Sequence, residues 1–329
     1  MTDLSGHYRV LLDEGADLEA KLVHADALEG LGDPRGRLFM LQLASAREPD
    51  RADLQVEEIR WIDQHADVLL GPLATARYDD GLELVWRQGF VRGASLRRVE
   101  REVPVLLERL LRIPMFESIG RLRLAEDSNL AACSRLLAAR PPPLVDLVFG
   151  LDARNKPVEE AADLSALWPA FPNLESFAGC GARLGELDLP RLRTFDLSTD
   201  AWAFDMSELG RARWPSLARL RLAGFSTVDV RRVVEALQPA TMLRELSLDE
   251  LGEDGDLAFE CLLQSTILSR LARLELCGAV TTRGARELIW NAERFSALER
   301  LAVELVDTDP ETRRTLEQAL PQLVVYRGQ

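Results

Sequence analysis

A chain of 329 residues, 47% hydrophobic and 29% charged, is long enough for two domains and has the make-up of a folded protein, which excludes a disordered one. Its formal net charge of -14 offers no basic arm of the kind that draws proteins to nucleic acid or to an anionic membrane, so neither is an expected partner. All but two of the 40 basic residues are Arg, the exceptions being Lys21 and Lys156, a bias expected of a GC-rich bacterial genome.

Residues 1–12 carry Asp3, His7 and Arg9 and lack the apolar run of an export signal. No apolar stretch of about 18 residues occurs anywhere, so a cytoplasmic location is expected. Residues 16–70 read as three helices. Leu18, Leu22, Ala25 and Leu28 form a stripe on the first, Gly32 ends it, and Asp33-Pro34 supplies a cap and a first-turn proline for the second. The third starts near Ala52 and carries Leu54, Ile59, Ile62, Ala66 and Leu69. Beyond Gly71-Pro72, the alternation at Leu82, Leu84 and Trp86, followed by Gly89-Phe90-Val91, predicts extended chain.

From residue 116 the pattern L-x-x-L-x-L returns again and again. It occupies Ile119/Leu122/Leu124, Leu144/Leu147/Phe149, Leu192/Phe195/Leu197, Leu217/Leu220/Leu222, Leu243/Leu246/Leu248, Leu271/Leu274/Leu276 and Leu298/Leu301/Val303. A weaker copy lies at Leu174/Phe177/Gly179 and a truncated one at Leu323/Tyr326. From Leu192 onward the first positions recur every 25–28 residues, whereas only about 18 separate Leu174 from Leu192, where a loop is expected in place of a helix. Helical spacing follows the strands, as in Val230/Val233/Val234/Leu237 and Ala285/Leu288/Ile289/Ala292. One strand and one helix cannot bury their apolar faces alone, but stacked copies can.

These residues, with Thr281-Thr282-Arg283-Gly284-Ala285, resemble the ribonuclease-inhibitor-like leucine-rich repeats. The resemblance implies an α/β solenoid, a horseshoe with a parallel concave sheet and convex helices. Its asparagine ladder is missing: Asp127, Asp152, Asp200, Phe225, Leu251, Ala279 and Val306 stand there instead, so the turns must satisfy their backbone groups otherwise. Upstream, the run from His24 to Gly36, ending Gly32-Asp33-Pro34-Arg35-Gly36, with Leu41-Gln42 and Arg87-Gln88-Gly89-Phe90-Val91, is similar to the bacterial repeat-companion domain. The expected division is a mainly helical domain with a short extended or hairpin segment over 1–115 and a solenoid over 116–329.

Catalytic signatures are missing. His7, His24 and His65 lie apart in sequence, the cysteines Cys133, Cys180, Cys261 and Cys277 form no C-x-x-C pair, and no nucleotide-binding loop or nucleophile elbow opens a strand–helix unit. Free thiols, no metal, no cofactor and no enzymatic activity are expected. Asp26, Asp33, Arg35 and Gln42 read as helix-tying residues, and most tryptophans as core.

Strand alternation turns the residues between the repeat leucines to the concave face. The candidate partner-binding residues are Arg121, Arg123, Asp146, Thr194, Asp196, Arg219, Arg221, Glu245, Asp249, Arg273, Glu275, Arg300 and Glu304, with Trp202 as a loop anchor. The expected function is non-enzymatic binding of an unknown protein, with regulation of a GTPase or hydrolase as the alternative and an enzyme in the N-terminal domain a distant third. Arg219 and Arg221 are expected to be exposed charges whose joint reversal spares folding. At the last repeat, either Tyr326 and Arg327 are expected to fold over the final core layer or this end, around Val324, makes a homotypic or partner contact.

Overall fold

The computed structural model describes residues 4–76, 81–97, 102–113, 116–124, 129–150, 163–180, 183–198, 207–224, 227–249, 251–252 and 255–326. Packing divides the chain into two compact units, Met1–Leu144 and Val145–Gln329. The sequence motifs change earlier, at 115/116, because the repeat register opens at Ile119. Its first strand packs with the N-terminal unit.

The first unit contains α1 (Ser5–Leu12), α2 (Leu18–Gly30), α3 (Pro34–Arg47), α4 (Ala52–Gln64) and α5 (Ala66–Leu70). The Asp17 carboxylate accepts from the Ala20 N–H at 2.7 Å and caps α2, and that of Asp33 accepts from the Arg35 N–H at 2.9 Å and caps α3. Pro34 takes the first position of α3, where its missing N–H costs nothing. Helix α1 lies ahead of the expected ones. It forms because Leu4, Tyr8, Leu11 and Leu12 recur at helical spacing and pack on Ala25, Leu28, Phe39 and Phe90.

The third expected helix breaks at His65 into α4 and α5. Its stripe is only half right, since Ala66 and Leu69 are buried but Ile59 is 62% exposed. Leu18 in α2 is likewise exposed. Strands β1 (Leu82–Arg87) and β2 (Phe90–Leu96) make an antiparallel hairpin, and β2 pairs in parallel with β3 (Arg121–Leu124). Between β2 and β3, α6 (Val103–Leu110) buries Val103, Leu106, Leu107 and Leu110; after β3, α7 (Leu130–Ala139) buries Leu130, Cys133 and Leu137.

The second unit is a row of parallel strands: β4 (Asp146–Phe149), β5 (Ser176–Cys180), β6 (Thr194–Ser198), β7 (Arg219–Ala223), β8 (Glu245–Asp249), β9 (Arg273–Val280), β10 (Arg300–Leu305) and β11 (Leu323–Tyr326). From β5 onward each pairs with its predecessor in chain order. Leu220, Leu246, Leu274 and Leu301 lie in one register row, and Leu222, Leu248 and Leu276 in the next. All are buried, as period-two alternation requires of a sheet with one covered face.

Helices α8 (Ser207–Gly210), α9 (Thr227–Ala236), α10 (Gly255–Leu263), α11 (Thr282–Trp290), α12 (Ala292–Phe295) and α13 (Pro310–Ala319) fall between the later strands. Val230, Val233 and Val234 of α9, and Ala285 and Leu288 of α11, are buried. The result is a repetitive, solenoid-like α/β arrangement. No helix occurs among the described residues 183–192; Leu184, Leu187, Leu189 and Leu192 fill that layer instead, each fully buried. An aromatic row adds to the core, with Trp168, Phe177, Phe195 and Trp214 in successive ring contacts at 5.1–5.6 Å between centroids.

Among the described turns, side chains satisfy several of the backbone groups. Glu208 accepts from the Leu184 and Gly185 N–H groups at 2.6 and 3.0 Å, and Asp256 accepts from the Thr281 N–H and hydroxyl at 3.0 and 2.7 Å. Arg270 donates to the Leu237 and Gln238 carbonyls at the C-terminal end of α9, where a cation also suits the helix dipole. Among the described residues no helix is long and apolar enough to cross a membrane.

Candidate functional site

The uncovered face of β6–β10 carries a charge ladder. In one row Thr194, Arg219, Glu245, Arg273 and Arg300 stand side by side, and in the next Asp196, Arg221, Ser247 and Glu275. Opposite charges meet at Asp196/Arg221, Arg219/Glu245 and Glu245/Arg273, the arrangement that cross-strand pairing favours, while Arg273 stands opposite the like-charged Arg300. Arg219 meets Glu245 at 2.6 Å, Arg273 meets Glu245 at 3.6 Å, and Arg300 meets Glu275 at 3.2 Å. A cavity of about 280 Å³ opens on this face, bordered by Arg219, Arg221, Glu245, Ser247, Arg273 and Arg300 among others.

Arg221 is a different kind of residue from Arg219. Its guanidinium reaches Asp249 at 2.6 Å and Asp196 at 3.2 Å, and Asp249 also accepts from the Ser247 hydroxyl at 2.9 Å. Burial works against the Arg221 charge, but the two carboxylates outweigh it and raise its pKa. One oxygen of Asp196, Oδ1, is buried without a hydrogen-bond partner. The expectation that Arg219 and Arg221 are equivalent exposed charges is therefore corrected. Arg219 is an exposed rung, while reversing Arg221 would press three carboxylates together.

Asp146 on β4 and Thr194 on β6 are half-buried at outward positions. Glu304 on β10 is displaced: a bulge between Val303 and Glu304 sets it opposite Ala279. It lies close enough to Cys277 to help raise that thiol to about 12, after burial and the Asp249 carboxylate, which also bonds it. Arg121 and Arg123 sit on β3 in the first unit, outward of its core. Trp202 lies outside the described residues, as do Asp127, Asp152, Asp200, Phe225 and Arg327. On β11, Val324 is 39% exposed and the Tyr326 hydroxyl accepts from Arg300 at 3.2 Å.

In the first unit the motif residues converge on one buried knot. Arg35 and Asp33 form an ion pair at 3.1 Å with side chains 5% exposed, the Tyr8 hydroxyl donates to the same carboxylate, and the Arg35 guanidinium lies 5.2 Å from the Tyr8 ring centre. Burial and the Asp33 bond push the Tyr8 phenol up to about 12. Trp61 donates to the Pro34 carbonyl at 3.0 Å, and the Gly89 N–H donates to Gln42 at 2.8 Å. Gly36 is needed because α2 and α3 nearly touch: a Cβ there would sit 2.3 Å from the Ala25 carbonyl oxygen. Asp26 is exposed.

Two further features were invisible to the sequence. His7 and His24, separate in sequence, bring their Nδ1 atoms to 3.0 Å across α1 and α2. Trp290, expected in the core with Trp168 and Trp214, is 88% exposed at the end of α11. Among the described residues no three His, Cys, Asp or Glu side chains are grouped to hold a metal.

No family profile matches the chain, and no curated protein sequence matches it. Its fold is similar to that of a Bacteroides fragilis protein solved by crystallography as a structural-genomics target, with a TM-score of 0.52 and 18% identity. That similarity covers 67% of this chain and 69% of the other, and at this identity it concerns fold alone.

Proposed function

We propose that the chain is a leucine-rich-repeat protein of the ribonuclease-inhibitor-like type, headed by a repeat-companion domain, and that it binds another protein through the uncovered face of β6–β10. The ladder carries this reading. A parallel sheet ordinarily has both faces covered, yet this one leaves a row of Arg and acidic side chains in solvent across several strands. Charges already paired with each other offer a partner alternating donors and acceptors in fixed register, which favours specificity more than raw affinity. Among the described residues this face groups no metal ligands, and its one thiol, Cys277, is held protonated by burial and the acidic side chains around it, so binding without chemistry is the reading we favour. Regulation of an enzyme such as a GTPase or hydrolase would be one outcome of such binding.

The test replaces the exposed end of the ladder and leaves the Arg221 cluster intact. Full-length chain and an Arg273→Gln/Arg300→Gln variant are used side by side to capture partners from the native cell. Both arginines are about half exposed, so the variant should fold. A protein retained by the parent and lost from the variant supports the face. A set of partners that is identical for both moves the binding surface elsewhere.

A further inference from the structure

Away from the ladder, the first unit contains a cavity of about 570 Å³, within the range of small-molecule sites. Its walls are apolar on one side, with Leu18, Phe39, Leu43 and Trp86, of which Leu18 is exposed and Leu43 and Trp86 are half-exposed. Lys21 borders the same space. This residue is 5% exposed, and it is one of two lysines in a chain that otherwise uses arginine.

The partner of that buried ammonium is unusual. With the Gln88 amide oriented to satisfy both its ends, its nitrogen donates to the Leu11 carbonyl at 3.1 Å and its oxygen accepts from Lys21 Nζ at 3.1 Å. Among the described residues no carboxylate lies within ion-pairing distance of Lys21. Glu58, also at the cavity, accepts from Gln42 at 2.8 Å. An ammonium has three donors, and Gln88 takes one. A buried cation facing only a neutral amide has lost its water without gaining a counter-charge, which is costly unless something else supplies one.

Gln88 itself is held at φ 57°, in the left-handed region that a hairpin turn of this kind normally gives to Asn or Gly. Its neighbour Gly89 is also left-handed at φ 81°, and only glycine fits there, because a Cβ would lie 2.8 Å from the Arg35 carbonyl oxygen. The turn thus holds a strained, long-chained residue at the point where its amide meets Lys21. Strain of this sort persists where a site is over-determined by its surroundings.

We propose that this cavity binds a small monocarboxylate with an apolar body, its carboxylate on Lys21 and its body between Leu18, Phe39, Leu43 and Trp86. The wall also carries Glu58, whose carboxylate accepts from Gln42, and the exposed Arg87, so Lys21 is the buried cation of the cavity and Arg87 a cation at its solvent side. The Lys21 ammonium acts as a point charge with two donors left free, which one carboxylate can accept. The site is separate from the charge ladder and independent of what that face binds.

Octanoate, hydrocinnamate and indole acetate, each against its own primary amide, are titrated calorimetrically into the full-length chain. At least one acid should bind saturably and about tenfold or more tighter than its amide. The Trp86 indole N–H should shift in nuclear magnetic resonance spectra as it binds. Lys21→Met should remove the preference for acid over amide, and Ala46→Trp, which fills the rim of the cavity and leaves Lys21 in place, should abolish binding of both. No saturable binding by any acid, equal affinity for acid and amide, or unchanged binding in the Ala46→Trp chain would each overturn the proposal. The last comparison holds even where Lys21→Met does not fold.

Discussion

The Arg221 guanidinium meets the Asp249 carboxylate at 2.6 Å on a diagonal, one strand over and two residues beyond its register partner Ser247. The diagonal lets one arginine serve carboxylates on both flanking strands, Asp196 on β6 and Asp249 on β8. Removing it would leave two half-buried acids, one on each flanking strand, without their shared cation, and one of them already has an oxygen without a partner. Arg221→Ala should therefore destabilise the chain by about 1–3 kcal/mol, the cost of leaving buried polar groups unsatisfied. Arg219→Ala, at a half-exposed position, should cost less than about 1 kcal/mol. Urea unfolding of the two variants checks the order, and a larger loss at Arg219 would mean that the diagonal contributes nothing.

Leu246 stands in the middle of the row formed with Leu220 and Leu274 and is 1% exposed. Truncation to Ala should cost about 2–5 kcal/mol, the transfer term plus the cavity left in a layer that cannot collapse from both sides. A loss near zero would place this side chain outside the core and break the register of the unit.

Leu246 also shows why the repeats were legible and the sites were not. Its burial follows from a period of two within the strand and a recurrence about every 26 residues between strands, both visible in one dimension. The ladder's membership was legible for the same reason, since face is fixed by parity. Which arginine is embedded was not, because the Arg221–Asp249 diagonal depends on side-chain reach, not parity. The first unit hides more. The Tyr8–Asp33 bond, the His7–His24 contact and the Gln88–Lys21 pair join segments that share no period, so no spacing announces them. Trp290 failed for an opposite reason: it closes a periodic helix but stands two residues past Leu288, on the face away from the buried stripe of Ala285 and Leu288.

Tyr8 ties α1 to the start of α3, and the tie should respond to alkali. Its phenol is raised from 10.0 to about 12 by burial and by the bond it donates to Asp33. The neutral phenol is thus favoured in the folded chain. Its contribution is fully present below pH 10 and is lost as pH rises through about 12. Thermal melts across that window should show the parent losing stability faster than Tyr8→Phe, which has no proton to lose there. At neutral pH the variant should be the weaker by about 0.5–1.5 kcal/mol, one hydrogen bond. Parallel pH profiles for the two chains would show that the phenol is not held by Asp33.

Cys277 provides a chemical reading of the acidic end of the ladder. It is half-buried on β9, and burial first, then the Asp249 charge and hydrogen bond, then Glu275 and Glu304, push its thiol from 9.0 to about 12. The thiolate is the nucleophile, so near pH 8 its population falls about a thousandfold below that of an ordinary cysteine, and the greater basicity of the thiolate recovers only part of the rate. Iodoacetamide labelling of the native chain, followed by peptide mass spectrometry, should find Cys277 alkylated at least about tenfold more slowly than the same cysteine in urea. Asp249→Asn removes a charge and keeps the shape, so labelling at Cys277 should speed up while Cys133, which is fully buried, stays protected. Because the same substitution weakens the hold on Arg221, the melting curve of the variant is needed alongside. Faster labelling at Cys277 and Cys133 together would report general loosening, whereas faster labelling at Cys277 alone places the Asp249 carboxylate against its sulfur and fixes the register of this end of the face.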